Sequence, residues 1–334
     1  MSAFSNAYHI GRPNKKYRPA FGHLITVCVA AWMLPLQISA YACKVPVFRY
    51  ALERWPASPY QAVILADAPL TTSEQGALRL LQGAGDKTNG VLNLTVRQYT
   101  KTELARSGMA GRLPQLDIPG PRLHLFFPAA TEMTAAIWSG PLTKKSAMAI
   151  IDSRIRQELV RKLLAGNSGV FILLESGNQT RDAHAEKVLK GHLANLAASL
   201  KLPHGVVATD GAVTGDAPAG ADPINQLRSA IPLKLAFSSL RLARKGADDI
   251  LVATLMNLEP DLGESSHLPM VFAVYGRGRA LVPLIGRGIT ARNVGDVATF
   301  LTGPCSCQIK ALNPGTDLLL RHDWDRSVLG ENEQ

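Results

Sequence analysis

Residues 268–301 read LPMVFAVYGRGRALVPLIGRGITARNVGDVATFL. A proline precedes a run of apolar, β-branched and aromatic residues, the composition of a strand. GRGR supplies a glycine-bearing turn, and ALVPLI is a second short apolar run. After IGRG, the segment TARNVGDVATFLTG has helical spacing and ends on Gly303. The stretch therefore predicts strand, turn, strand, helix. Two adjacent strands joined by a tight turn must run antiparallel.

Upstream, GVFILLES (169–176) reads as a fully buried strand and RDAHAEKVLKGHLANLAASL (181–200) as a helix. IPLKLAFSSLRLA (231–243) reads as a strand and ADDILVATLMNLE (247–259) as a helix. The Gly-, Ala-, Asp- and Pro-rich run at 204–223 is an exposed loop within this unit. A helix between two strands is the crossover that parallel pairing needs. The same order occurs earlier. YQAVILAD (60–67) is a strand, and Thr71 with Glu74 forms a capping box for a helix stopped at Gly83 or Gly85. VLNLTVRQYT (91–100) is a strand with one wetter face, and Pro121 precedes two short apolar runs. SAMAIIDSRIRQELVRKLLAG (146–166) has the pattern of one amphipathic helix. VPVFRYALERW (45–55) predicts a further helix with Val47, Tyr50, Leu52 and Trp55 inward. The expected fold class is α/β: two mixed sheets, each flanked by helices.

Residues 268–301 resemble the C-terminal half of the thioredoxin fold, with Pro269 at the position of its cis-proline and Gly276 or Gly278 at its turn. Residues 121–165 are a looser copy, with Pro121 at the equivalent place. The resemblance implies two tandem thioredoxin-like units, 43–166 and 167–303, followed by a cysteine-bearing tail, 304–334. The chain departs from the family at the usual redox site. ADAPLTTSE and ESGNQTRDA stand where thioredoxins carry C-x-x-C, and neither holds a cysteine. The chain is also similar to secreted bacterial proteins that carry CKVPVFRYALERW and CSC, a family that implies no activity.

Export is the expectation for the N-terminus. GRPNKKYRP is basic, HLITVCVAAWMLPLQISAYA is apolar, and Ala40-Tyr41-Ala42 is a small-x-small site. Together they make a signal peptide over 1–42, with an uncleaved membrane anchor as the alternative. The exported protein would be periplasmic, secreted or membrane-anchored. Removing 1–42 takes away Arg12, Lys15, Lys16 and Arg18 and no acid, so the net charge falls from +10 by four to +6. Much of the basic balance is thus targeting signal, and nucleic acid is not an expected partner.

Cys28 lies in the leader, leaving Cys43, Cys305 and Cys307. Three uses are open to them. Cys43 can pair with one of the tail cysteines, Cys305 and Cys307 can close a small, strained disulfide of their own, or the three can hold a soft metal, copper or zinc, with His322 as a further ligand. Arg277 and Arg279, with Arg287 and Arg292, are weak candidates for binding an anion, against the alternative of exposed hairpin arginines. Glu175 and His124 read as local hydrogen-bonding residues. No G-x-S-x-G, H-E-x-x-H or P-loop occurs. By subtraction the leading expectation is a non-catalytic binding or scaffolding protein of the cell envelope, without a cofactor and with a protein partner. The rival is a thiol protein acting through Cys43, Cys305 and Cys307 in disulfide exchange or metal handling.

Overall fold

The computed structural model describes residues 43–86, 90–108, 110–114, 120–131, 133–208, 214, 223–246 and 248–330. The leader with Cys28, and most of the 204–223 loop, lie outside them. The described residues make one compact unit. Among the described residues no helix is long and apolar enough to cross a membrane.

Two mixed sheets form the frame. The first takes β1 (Tyr60–Leu65), β2 (Leu94–Tyr99), β3 (Arg122–Phe126) and β4 (Trp138–Pro141) in the order β2-β1-β3-β4. β1 runs parallel to β2 and antiparallel to β3, and β4 is antiparallel to β3. The second takes β5 (Gly169–Leu174), β6 (Phe237–Leu242), β7 (Met270–Tyr275) and β8 (Arg279–Ala280) in the order β6-β5-β7-β8. Its directions repeat those of the first: β5 is parallel to β6, antiparallel to β7, and β7 is antiparallel to β8. A short β9 (Leu284–Ile285) also pairs with β7.

Helices supply the crossovers. In chain order they are α1 (Val47–Arg54), α2 (Thr72–Ala84), α3 (Lys101–Arg106), α4 (Lys144–Ile151), α5 (Arg154–Leu164), α6 (Gln179–Ser199), α7 (Asp249–Met256), α8 (Ala291–Thr302) and α9 (Trp324–Leu329). Thr71 and Glu74 make the expected capping box on α2. One helix expected over 146–166 is instead two. Asp152 is extended, with φ −164° and ψ 165°, and Ser153 caps α5 by accepting from Arg156 N–H. Asp152 Oδ1 also accepts from Ser153 N–H at 2.8 Å. Two short polar side chains thus outcompete the helix for its own backbone.

The core explains why β5 and β7 are buried on both faces. Val170, Ile172 and Leu174 join Met270, Phe272 and Val274 in a cluster that also holds Tyr60, Ala62, Ile64, Leu123 and Leu125 of the first sheet. That cluster is continuous across residue 166, so the two strand sets share their main core. Phe171, Leu173, Val271, Ala273 and Tyr275 point the other way, into a second cluster with Val47, Phe48, Tyr50 and Ala51 of α1. The expected inward positions Val47, Tyr50, Leu52 and Trp55 are all buried. α1 therefore packs against the second sheet, although it precedes the first in sequence. Gly276 permits this: its φ is +59°, and a Cβ there would lie 2.6 Å from the Ala51 Cβ.

The tail is woven into the body. β10 (Thr316–Asp317) pairs with β8, and Leu318, Leu319 and Leu320 enter the shared core. Asn93, at the start of β2, holds them there. Its Nδ2 donates to Leu318 O at 3.1 Å, and its Oδ1 accepts from Leu320 N–H at 3.0 Å.

No peptide bond among the described residues is cis. The cis form expected before Pro121 and Pro269 is therefore corrected to trans, the isomer that X-Pro bonds favour by about 0.5–1 kcal/mol. Each proline carbonyl has the same task. Pro121 O accepts from Leu142 N–H at 3.1 Å and Pro269 O from Gly286 N–H at 2.9 Å, each just past the antiparallel strand that follows.

Candidate functional site

A cavity of about 820 Å³ opens at the C-terminal end of β5. It lies between the first turns of α6, the loop through Pro269, and the 3-10 turn Gly286–Gly288 that leads into α8. Its frame is rigid for local reasons. Asp182, 4% exposed, accepts from Ser176 N–H at 2.8 Å and Gly177 N–H at 3.1 Å, which fixes the turn from β5 into α6. Asn178 and Thr290 cap α6 and α8.

The lining divides by chemistry. Arg181, His184 and His192 lie along one face of α6, and Arg287 faces them from the 3-10 turn. Val188, Leu268, Pro269 and Ile289 supply apolar wall. No carboxylate and no cysteine lines the cavity. Arg181 Nη1 donates to His267 O at 3.2 Å, which holds it at the mouth. Among the described residues, no carboxylate forms an ion pair with Arg181 or Arg287. Uncompensated cations beside an apolar wall, in a cleft of ligand size, suit an organic anion.

The equivalent edge of the first sheet differs. A cavity of about 500 Å³ lies there against Pro121, lined by Asp67, Glu74, Lys101 and Arg122. Lys101 Nζ bonds Asp67 Oδ2 at 2.8 Å, and these hydrogen bonds hold the Asp67 carboxyl below its ordinary range. At this edge the Lys101 and Asp67 charges satisfy each other.

The cysteines form a separate corner. Pro46 and Pro304 make an isolated antiparallel bridge, with Val47 N–H donating to Gly303 O at 3.0 Å and Cys305 N–H to Val45 O at 2.9 Å. The first described residues meet the segment that follows α8 there. Cys43 is 2% and Cys305 1% exposed, both in the cluster behind the second sheet, while Cys307 is half-buried. No disulfide joins Cys43, Cys305 or Cys307 to one another. Burial, with Cys43 nearby, pushes the Cys305 thiol up to about 11.

Three expected site residues lie elsewhere. His322 hydrogen-bonds Ser327 Oγ at 2.8 Å and packs edge-on against Trp324. Among the described residues no group of three or more His, Cys, Asp or Glu side chains is placed to hold a metal ion, so the soft-metal arrangement of Cys43, Cys305, Cys307 and His322 is not assembled. Arg277 and Arg279 are not exposed hairpin arginines but buried, at 6% and 8% exposure. Arg277 donates to Leu52 O at 2.7 Å and pairs with Asp325 at 2.6 Å. Arg279 donates to Pro314 O at 3.0 Å and Asn313 O at 2.7 Å and pairs with Asp317. Buried polar groups need such partners, and the tail provides them.

The groove residues on α6 were missed because a helix-wide pattern hides them. Arg181, His184, Ala185, Val188 and His192 follow the i, i+3, i+4, i+7 spacing of one helix face. That mixed stripe was the available signal. No protein-family model matches this chain, and no curated protein matches it either.

Proposed function

We propose that the chain is an exported, non-catalytic binding protein of two tandem thioredoxin-like units, and that it holds a small organic anion in the groove at the C-terminal end of β5. The groove carries this reading. Its volume is about 820 Å³, its charged lining residues are the cations Arg181 and Arg287, and no thiol or carboxylate lines it. Its place also supports the reading, since ligands of open α/β sheets bind outside the carboxyl ends of the strands. The shared strand order of the two sheets supports the thioredoxin-like assignment, while the trans prolines count against it. The leader 1–42 supports export to the cell envelope.

The ligand class follows from the wall chemistry. Arg181 and Arg287 would share a carboxylate or phosphate head, and Val188, Leu268 and Ile289 would cover an aliphatic body. Calorimetric titration with octanoate and with octanol, its uncharged counterpart, tests this. Octanoate should bind with micromolar to millimolar affinity and octanol at least about tenfold more weakly, since a charge-assisted hydrogen bond contributes about 1.5–3 kcal/mol. Equal binding of the two would defeat the assignment of the arginines to a head group.

A further inference from the structure

We propose that Cys43 and Cys305 close a buried disulfide that ties the first described residues to the end of α8, and that Cys307 is the thiol through which it is made and opened. The latch is independent of the groove.

The placement starts from the Pro46–Pro304 bridge. Antiparallel register continued from that pair sets Cys305 across from Val45 and Cys307 across from Cys43. Cys43 thus lies against the segment that carries both tail cysteines. The bridge is isolated, so Cys43 is not held to the diagonal spacing of a longer ladder. Burial then separates the two candidates. Cys43 and Cys305 are enclosed in one apolar cluster, and Cys307 reaches solvent. A disulfide has no donor, so it suits that cluster better than two thiols do. The Cys305 thiol donates to Cys307 O at 3.0 Å.

The chemistry needs an external disulfide, R–S–S–R, as oxidant. The Cys307 thiolate attacks it and releases one R–S⁻. The Cys43 thiolate attacks the Cys307 sulfur and releases the second. The Cys305 thiolate attacks the Cys43 sulfur and restores the Cys307 thiolate. The net change is two protein thiols to one disulfide and R–S–S–R to two R–SH, two electrons and two protons in all. The buried thiol with a raised pKa is the last to react and the exposed one the first.

The full chain, reduced and then incubated with glutathione disulfide, tests the latch by peptide mapping without reductant. A peptide joining Cys43 to Cys305, with Cys307 open to alkylation, is the expected result. A stable link from Cys43 to Cys307, any link to Cys28, or alkylation of all three would overturn it. Cys307→Ser should slow latch formation at least about tenfold while leaving the Cys43–Cys305 link at equilibrium, and an unchanged rate would remove the relay. The oxidised form should also melt roughly 5 °C or more above the reduced form, because a disulfide over so long a loop restricts the unfolded chain strongly. Equal melting temperatures would contradict a tie between the two ends.

Discussion

Arg156 Nε lies 2.8 Å from Asp248 Oδ2, and both side chains are essentially enclosed, at 1% and 2% exposure. Arg156 sits on α5, after the first sheet, and Asp248 caps α7 of the second. The same guanidinium donates to Ile150 O at 2.9 Å and to Ala149 O at the end of α4, and Ser153 Oγ also meets Asp248. One buried cation thus locks two helix ends, the α7 cap and, through Leu319 O at 3.4 Å, the tail.

Arg156→Ala should destabilise the protein by about 3–5 kcal/mol, because it strands the Asp248 charge inside the core. Arg156→Met with Asp248→Asn should recover much of that loss. Urea unfolding of the three proteins measures it. Fluorescence and circular dichroism should report one coincident transition, since the sheets share a core. Two separated transitions would show that the strand sets unfold independently.

A second enclosed pair gives a local prediction. Glu53 accepts from Arg49 Nε at 2.7 Å, from Arg228 N–H at 3.0 Å and from Ser229 N–H at 3.2 Å. Arg49 in turn donates to Ser229 O at 2.6 Å. Desolvation lowers the Arg49 pKa, opposed by Glu53, so the carboxylate is what keeps this cation bearable. Glu53→Ala should cost about 3–5 kcal/mol. It should also abolish hydrogen-exchange protection at the Arg228 and Ser229 amides before that of β5 is affected.

His124 supplies a pH dependence. It is 1% exposed, its Nδ1 meets Ser139 Oγ at 2.8 Å, and its Nε2 has no partner among the described residues. Desolvation, with Arg122 adding, lowers its pKa to about 4. The unfolded chain then binds a proton near pH 6.5 that the folded chain refuses. The stability from neutral His124 is full above pH 6.5 and is lost as the pH falls towards 4, by up to about 3 kcal/mol. Melting curves between pH 7 and 5, above most carboxylate titrations, should show this fall. His124→Gln should flatten it, and an unchanged slope in the variant would assign the effect elsewhere.

Much of this fold was legible because its signals are local. The runs VFILL and MVFAV announce strands buried on both faces, and Thr71 with Glu74 announces a helix start. The repeat of strand, turn, strand and helix was announced by Pro121 and Pro269, each just before an apolar run. What escaped depends on distant partners. Arg49, Glu53, Arg156, Arg277 and Arg279 look like surface charges in sequence, and distant partners hold them: the 228–229 segment for Arg49 and Glu53, Asp248 for Arg156, and the tail for Arg277 and Arg279. Asp152-Ser153 split a helix whose apolar period runs straight through them. The cysteines were visible as a set, but only the Pro46–Pro304 bridge brings Cys43 to the segment that carries Cys305 and Cys307. The groove needed three segments, around 181, 269 and 287, that no single window contains.

The groove is the central claim, and binding to arginine variants tests it most directly. Arg181→Ala and Arg287→Ala remove exposed-mouth cations that hold no buried carboxylate, so both proteins should fold with the melting temperature of the parent. Titrated with octanoate at low salt, each should bind at least about tenfold more weakly than the parent, the loss expected for one charge-assisted contact. The double variant should show no saturable octanoate binding. Parent-like affinity in the double variant, with folding intact, would contradict an anion site between α6 and the 286–288 turn.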